Sequence, residues 1–436
     1  MSAVKSHTAH PDTRPRASAF NMFEPGFMAD PLETILRLHR DEPPVFYDDS
    51  IGCWIVTRYR DIAAGLKDWR VFSSRALGRV TAPSDLLPPV PAFANEEIIA
   101  ALDPPDHTLA RLTMQRGFTA KIVESMADPT HEIANQVIDQ IIHRGECNFI
   151  TDFCYAFTLG LITHLLNLPP EHAEDYKRWG NSLFGIQVPQ ALDDTEIPEA
   201  IVQARAAVPE AAIRKHWENL AEANAFLGDL LKQRERAPKD DMVSAFLQAR
   251  DAEGKIIDRG AVIRHMLSLF TAGHDTSANM IAHLVLLLTD NPDQLALLKS
   301  DPSLLRNTVE EGLRRRGSST GAFRAVTEDT ELGGQKLPRG SLVCLLLPGG
   351  SLDSEIFPDP GRFDINRPNA NKHLALGFGL HACIGQPLVR METPIAIREL
   401  YRRLPDLHID RTMPMEYTPT FGFSGLNQIT ARWTPG

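Results

Sequence analysis

The longest run of helical periodicity in the chain spans Ala261–Leu288. At mid-length its apolar face is broken by Ala272-Gly273-His274-Asp275-Thr276-Ser277. A glycine, an acid and two hydroxyls inside a buried helix cost helix propensity. Ser and Thr side chains can bond back to carbonyls and bend the helix, which opens room for water or a ligand. The alternative is that Asp275 and Thr276 cap a second, separate helix. Upstream, Thr151–Leu166, Ala173–Phe184, Ile213–Arg234 and Met242–Arg250 carry helical patterns, with a long loop rich in Pro, Ala and acids over Gly185–Pro209.

Shorter elements frame these helices. Asp30-Pro31-Leu32-Glu33 has the spacing of a capping box and predicts a helix to Arg40. Strands are predicted at Val45–Tyr47 and Cys53–Thr57 around the turn 48–52, and at Ser341–Leu347 after a Gly333-Gly334 turn. Residues 75–95 carry Pro83, Pro88, Pro89 and Pro91, which exclude a long helix and suit either a flap or a plain surface loop. Residues 1–20 are polar, proline-interrupted and without apolar periodicity, as in a disordered arm.

Length and composition narrow the function classes. With 436 residues, 43% of them hydrophobic, the chain can bury a large core. A net charge of −11 and the lack of a long basic run argue against a nucleic-acid binder. Five scattered cysteines without CxxC spacing fit a reducing compartment, with neither a zinc site nor a disulfide framework. No apolar stretch reaches the roughly 18 residues of a membrane span, so the expectation is a cytoplasmic protein without a membrane anchor.

One of those cysteines is set apart by its surroundings. In His373–Arg390, Gly377, Gly379 and Gly385 bracket Cys383, and a helical pattern with Pro387 in its first turn follows at once. Dense glycines let a backbone take positive φ and approach a large flat ligand. The helix entry should favour a thiolate, and loop amides can bond its sulfur. A buried structural cysteine beside a glycine turn is the plainer alternative. Elsewhere, His107 and Arg111 lie four apart and could grip one anion, or simply form a solvated helix face. Glu311 and Arg314 have the spacing of a common helix-surface pair.

The Cys383 stretch resembles the haem-binding loop of the cytochrome P-450 family, Phe-Gly-x-Gly-x-(His/Arg)-x-Cys-x-Gly. Gly377, Gly379, His381, Cys383 and Gly385 fall in place, and Leu376 stands where the family has Phe. Ala272–Ser277 resembles the family's acid–alcohol motif, Glu311–Arg314 its Glu-x-x-Arg pair, and Pro360–Phe363 its Pro-x-Arg-Phe turn. Two departures are Ser351-Leu352-Asp353, where the family has Asn-Arg-Asp, and Arg315–Thr320, which lacks the usual Pro. The motifs span about residues 45–430 in family order.

The resemblance implies a mainly α fold with small β-sheets, one haem-thiolate domain over 21–436, and haem b between the long helix and the cysteine loop. A thiolate on haem iron promotes O–O cleavage. Cys383 would be the iron ligand, His107, Arg111, Arg324 and His381 would hold propionates, and Asp275 and Thr276 would relay protons. Glu311, Arg314 and Arg362 would form a structural network. His274, at the variable position of the motif, is expected merely to pack. Phe93, Leu269, Ala272, Gly273, Thr320, Phe323 and Phe421 would wall the substrate pocket. The reaction expected is monooxygenation of a small or medium apolar molecule, such as a terpenoid or aromatic, by a monomer fed by a ferredoxin and its reductase. Arg111, Arg116, Lys121 and Arg390 are candidates for the docking patch. A peroxide-driven or isomerising haem-thiolate enzyme should dispense with the acid–alcohol pair, and a haem sensor should add a signalling domain. Neither feature fits this chain.

Overall fold

The computed structural model describes residues 14–79, 98–185, 187–189, 209–250, 254, 258–420 and 422–435. A single uninterrupted helix, Arg259–Asp290, forms the axis. The Ala272–Ser277 segment therefore does not start a second helix. Instead the Thr276 hydroxyl donates back to the Ala272 carbonyl, so the backbone passes through the polar patch without a break. Between Val262 and Leu288 every residue is buried except Thr271, Ala272, Gly273, Asp275 and Thr276. An apolar helix surrounded on all sides is the expected product of a chain this hydrophobic.

Helices 156–165, 173–185, 305–316 and 386–403 pack around this axis and share its main apolar core. Gly273 permits one of these contacts, because a Cβ there would lie 2.7 Å from Cδ1 of Ile162. The predicted hairpin forms as Val45–Asp48 paired with Cys53–Val56, and it is extended by Leu342–Leu345, Ala322–Val326 and Phe72–Ser73 into a five-stranded sheet. The helix after the capping sequence runs Leu32–Asp41, and Asp30 accepts the Leu32 N–H at 3.0 Å. Its carboxylate is also held at 2.8 and 2.9 Å by the Arg315 guanidinium, far along the chain.

Residues 14–20 correct the expectation of a disordered arm reaching Phe20. The Pro15 carbonyl accepts from the Tyr47 N–H at 2.7 Å, the Arg14 guanidinium lies 3.6 Å over the Tyr47 ring, and the Phe20 ring packs edge-on against Phe27 and Phe46. Residues 1–13 of the expected arm, and most of the 75–95 and 185–209 segments, lie outside the described residues.

Glu311 and Arg314 are fully buried, not a surface pair. Their side chains meet in two bonds of 2.7 and 2.8 Å, and the second guanidinium on Glu311 comes from Arg367, at 3.1 and 3.2 Å. This corrects the assignment of Arg362, whose side chain is exposed while its carbonyl accepts from both Arg314 and Arg367. Arg314 also donates to the carbonyls of Ser351 and Pro360. The Ser351-Leu352-Asp353 segment is buried here, and its Ser351 hydroxyl accepts the Leu374 N–H at 3.1 Å. It is a strut beneath the cysteine loop, not a pocket wall. Breaking a buried ion network leaves a charge uncompensated at a cost of about 3–5 kcal/mol. Arg367→Ala should lose stability on that scale in urea unfolding, whereas Arg362→Ala should stay within about 0.5 kcal/mol of the parent.

Candidate active site

The cysteine loop is shaped by its glycines and clamped at both ends. Gly377 and Gly379 take φ of +69° and +71°, and the Cys383 N–H donates to the Leu376 carbonyl at 2.8 Å to close the turn. The helix begins at Gln386 with Pro387 in its first turn. Gly385 keeps an ordinary φ of −78°, and a Cβ there would come to 3.7 Å from the Cys383 sulfur. Glu310, next to the Glu311 network, reaches both flanks of the loop. It accepts from Arg390 at 2.6 and 3.1 Å and faces His373 Nε2 at 3.2 Å. The Ala375 N–H donates to His373 Nδ1, so Nε2 carries the proton given to Glu310. Despite its burial, the Glu310 carboxyl is held down to about 2 by His373 and Arg390.

Cys383 is exposed, whereas Cys53, Cys147, Cys154 and Cys344 are buried. Its thiol does not behave as its place at a helix entry suggested. Although the residue is exposed, dehydration by the surrounding protein pushes the thiol up. The Gly385 and Gln386 amides and the Arg111 and Arg390 guanidiniums oppose that shift without reversing it. The expected bias toward thiolate is therefore absent in the protein alone.

Beside the loop four basic groups gather, and among the described residues no carboxylate forms an ion pair with them. The His107 and His381 rings lie 4.2 Å apart. Both ring nitrogens of His107 are buried without a hydrogen bond to protein. His381 meets the Ser74 hydroxyl at 2.9 Å, Arg111 donates to the Ala382 carbonyl at 2.6 Å, and buried Arg324 donates to the Phe323 carbonyl at 2.7 Å. Asp103, the one acid among the described residues that acts on this group, accepts from Ser73 and from the Ser74 N–H. Dehydration and mutual repulsion depress His107 to about 4 and His381 to about 2, and dehydration alone brings Arg324 to about 10. Buried like charges are stable only opposite a counter-charge. The donor set therefore fits a group that brings two carboxylates, and the single open thiolate-forming residue fits the metal of such a group.

The open window of the central helix supplies the remaining polar atoms. The Asp275 carboxyl is pushed upward by dehydration, with Lys177 pulling the other way. The Thr276 carbonyl accepts from the Ser318 hydroxyl at 2.9 Å, which ties the 317–323 segment to the window. The Thr320 N–H donates to the Gly422 carbonyl and the Ser424 N–H to the Ser318 carbonyl, so this segment and the C-terminal turn form one wall. Of the expected pocket residues, Ala272 is exposed, whereas Leu269 and Thr320 are buried. Gly273 is backed by Ile162, and Phe323 packs into the sheet cluster with Phe46 and Cys344, so both brace the wall from behind. Phe93 and Phe421 lie outside the described residues. The docking patch also shrinks. Arg390 is turned into Glu310 and Arg111 into the loop, which leaves Arg116 exposed and Lys121 exposed at 3.8 Å from Asp240.

One site residue is not legible in the motifs. Glu392, nine residues beyond Cys383, is buried and accepts from the Ser277 hydroxyl at 2.6 Å, which bridges the cysteine helix to the central helix. An acid at an inward position of that helix was the available signal. His274, expected merely to pack, is buried and hydrogen-bonded to Thr158 at 2.9 Å.

Residues 86–405 match the family model of cytochrome P450, and the chain belongs to that family. It is a cytochrome P450 monooxygenase, and its family implies a haem cofactor. It is 31% identical over 395 residues to cytochrome P450 107B1 of Saccharopolyspora erythraea, covering 89% of this chain and 91% of that one. It is 29% identical to the epothilone C/D epoxidase of Sorangium cellulosum, covering 96% of each. Cytochrome P450 CYP109Q5 from Chondromyces apiculatus superposes with a TM-score of 0.80 at 27% identity, over 96% of this chain and 98% of that one. Among the described residues no helix is long and apolar enough to cross a membrane.

The Glu392 carboxyl, lifted from 4.5 to about 7 by dehydration, makes a stability prediction. A raised acid costs nothing below its unfolded pKa, and the cost grows as pH climbs to the folded value. Each unit is worth about 1.4 kcal/mol, so Glu392→Gln should gain up to about 3 kcal/mol over the parent at pH 8.5. That advantage should vanish at pH 4.5, as read from urea midpoints at the two pH values.

Proposed function

We propose that the chain holds haem b with Cys383 as the axial ligand and monooxygenates a small or medium apolar molecule. The observation that carries this reading is the basic cluster of His107, Arg111, Arg324 and His381, without a paired carboxylate among the described residues, beside the one exposed cysteine. A propionate pair would satisfy the orphaned His107 nitrogens and lift both histidines from their depressed pKa values. A metal cation on the sulfur would release the proton that burial retains. The haem, when bound, supplies the oxygen-activating chemistry.

The protein's own part is positioning and proton supply. Glu310 fixes the loop that presents Cys383, through His373 before it and Arg390 after it. Asp275, whose carboxyl dehydration pushes upward against the pull of Lys177, is the donor at the window, and Thr276 is the adjacent hydroxyl that orients it. The pocket walls offered by Ala272, Thr320 and the 317–323 segment are small and carry few polar groups, which suits a terpenoid or simple aromatic fixed by one or two hydrogen bonds. Electrons would come from a ferredoxin and its reductase. With the basic patch reduced, exposed Leu112 beside Arg111 and exposed Phe378 in the cysteine loop supply apolar contact area for that docking.

Cys383→Ser should abolish the strongly red-shifted Soret band of the ferrous carbon-monoxide complex, and retention of that band would refute the ligand. Thr276→Ala should keep consuming reductant while yielding several-fold less product and correspondingly more hydrogen peroxide. Ferric spin-state titration against terpenoids, aromatics, steroids and aliphatic acids tests the pocket. Tight shifts confined to acidic compounds would overturn the apolar reading.

A further inference from the structure

His274 has a hydrogen-bond environment that a merely packed histidine would not need. Its Nδ1 lies 2.9 Å from the Thr158 hydroxyl, and that hydroxyl lies 3.0 Å from the Cys154 carbonyl. A hydroxyl has one hydrogen, and a carbonyl can only accept. The Thr158 hydrogen therefore goes to Cys154, and the Thr158 oxygen accepts from His274 Nδ1–H. A neutral imidazole protonated on Nδ1 presents a lone pair at Nε2. That atom is buried without a hydrogen bond and lies 3.5 Å from Asp275 Oδ1, a few tenths of an ångström from bonding distance.

A carboxylate oxygen facing an imidazole lone pair is repelled by it, whereas a carboxylic acid O–H donates to it. We propose that His274 and Asp275 hold a single proton between them, and that Thr158, by fixing the imidazole tautomer, sets Asp275 in its protonated, proton-donating form. His274 is then a positioning residue for the acid at the window, not a packing residue. The inference rests on the reading of Asp275 as the proton donor of the monooxygenase.

The surroundings favour one shared proton over two or none. Dehydration disfavours both the imidazolium and the carboxylate, and the Nε2 lone pair 3.5 Å from Asp275 Oδ1 adds to the second of these effects. The charged group acting on both is Lys177 of the 173–185 helix. Its ammonium sits 4.3 Å over the Tyr155 ring, which in turn lies 4.7 Å from the His274 ring. Lys177 opposes a second proton on His274, whose pKa is depressed to about 3 by dehydration and then by this charge. The Tyr155 phenol and the Cys154 thiol, the other titratable groups nearby, are both pushed up by burial and stay neutral.

The tautomer can be read directly by ¹⁵N NMR of histidine-labelled holoenzyme in its diamagnetic ferrous carbon-monoxide form. The expected His274 signal is that of the Nδ1-protonated tautomer. Thr158→Val should convert it to the Nε2-protonated tautomer, which donates to the Asp275 carboxylate, and Thr158→Ser should restore the parent signal. In turnover, the alkaline limb of coupled product formation should move to lower pH by about half a unit or more in Thr158→Val, with a smaller shift in His274→Phe. In an Asp275→Asn background, His274→Phe should change coupling by less than about two-fold, because the partner is gone. An Nε2-protonated parent, an unmoved limb in both variants, or additive losses in the double mutant would each overturn the proposal. A missing red-shifted carbon-monoxide band in the parent would instead refute the underlying haem-thiolate reading, so the two failures are distinguishable.

Discussion

Two adjacent carboxylates, Glu310 and Glu311, hold the cysteine side of the molecule in place. Glu311 is fully buried between the guanidiniums of Arg314 and Arg367, and those guanidiniums in turn collect the carbonyls of Ser351, Pro358, Asp359, Pro360 and Arg362. An irregular stretch of chain has few backbone partners of its own, so its carbonyls need donors from elsewhere. Two planar forks meet that need, which a pair of ammonium groups could not do with the same geometry. Glu310 then carries the restraint to His373 and Arg390, on either side of Cys383. The loop is thus rigid before any ligand arrives.

Rigidity on that side contrasts with electrostatic frustration beside it. His107, Arg111, Arg324 and His381 crowd together although burial and mutual repulsion disfavour their charged forms. The Cys383 thiol is likewise pushed up by dehydration. Both strains have the sign that a bound anionic macrocycle carrying a metal cation would relieve. Binding energy is then drawn from groups the protein keeps under-satisfied by itself. The unbroken central helix likewise keeps a polar window in an otherwise dry surface.

Much of this was legible in the residues. The long helix, the first hairpin, the glycine-bracketed cysteine and the family order of motifs can be read because they rest on local periodicity and fixed spacing. The reading was weakest where a partner lies far along the chain. The Pro-x-Arg-Phe turn pointed to Arg362, yet the guanidinium on Glu311 belongs to Arg367, because the turn directs the nearer side chain to solvent. Phe323 has the composition of a pocket wall, but strand alternation sends it to the opposite face, against Phe46 and Cys344.

By itself, then, the sequence determined the helical class, the cysteine that could serve as a ligand and the acid–alcohol pair within the central helix. The long helix follows from its periodicity, and the class, the ligand and the acid–alcohol pair from the resemblance that their motifs carry. Tertiary structure alone decided the protonation of those groups. Whether Cys383 is thiol or thiolate depends on how far burial outweighs two amides and two guanidiniums brought from separate segments. Which nitrogen of His274 carries the proton depends on a hydroxyl 116 residues away, itself committed to the carbonyl of Cys154. Dehydration and hydrogen-bond partners are properties of a place in the fold, and no local pattern of residues encodes them.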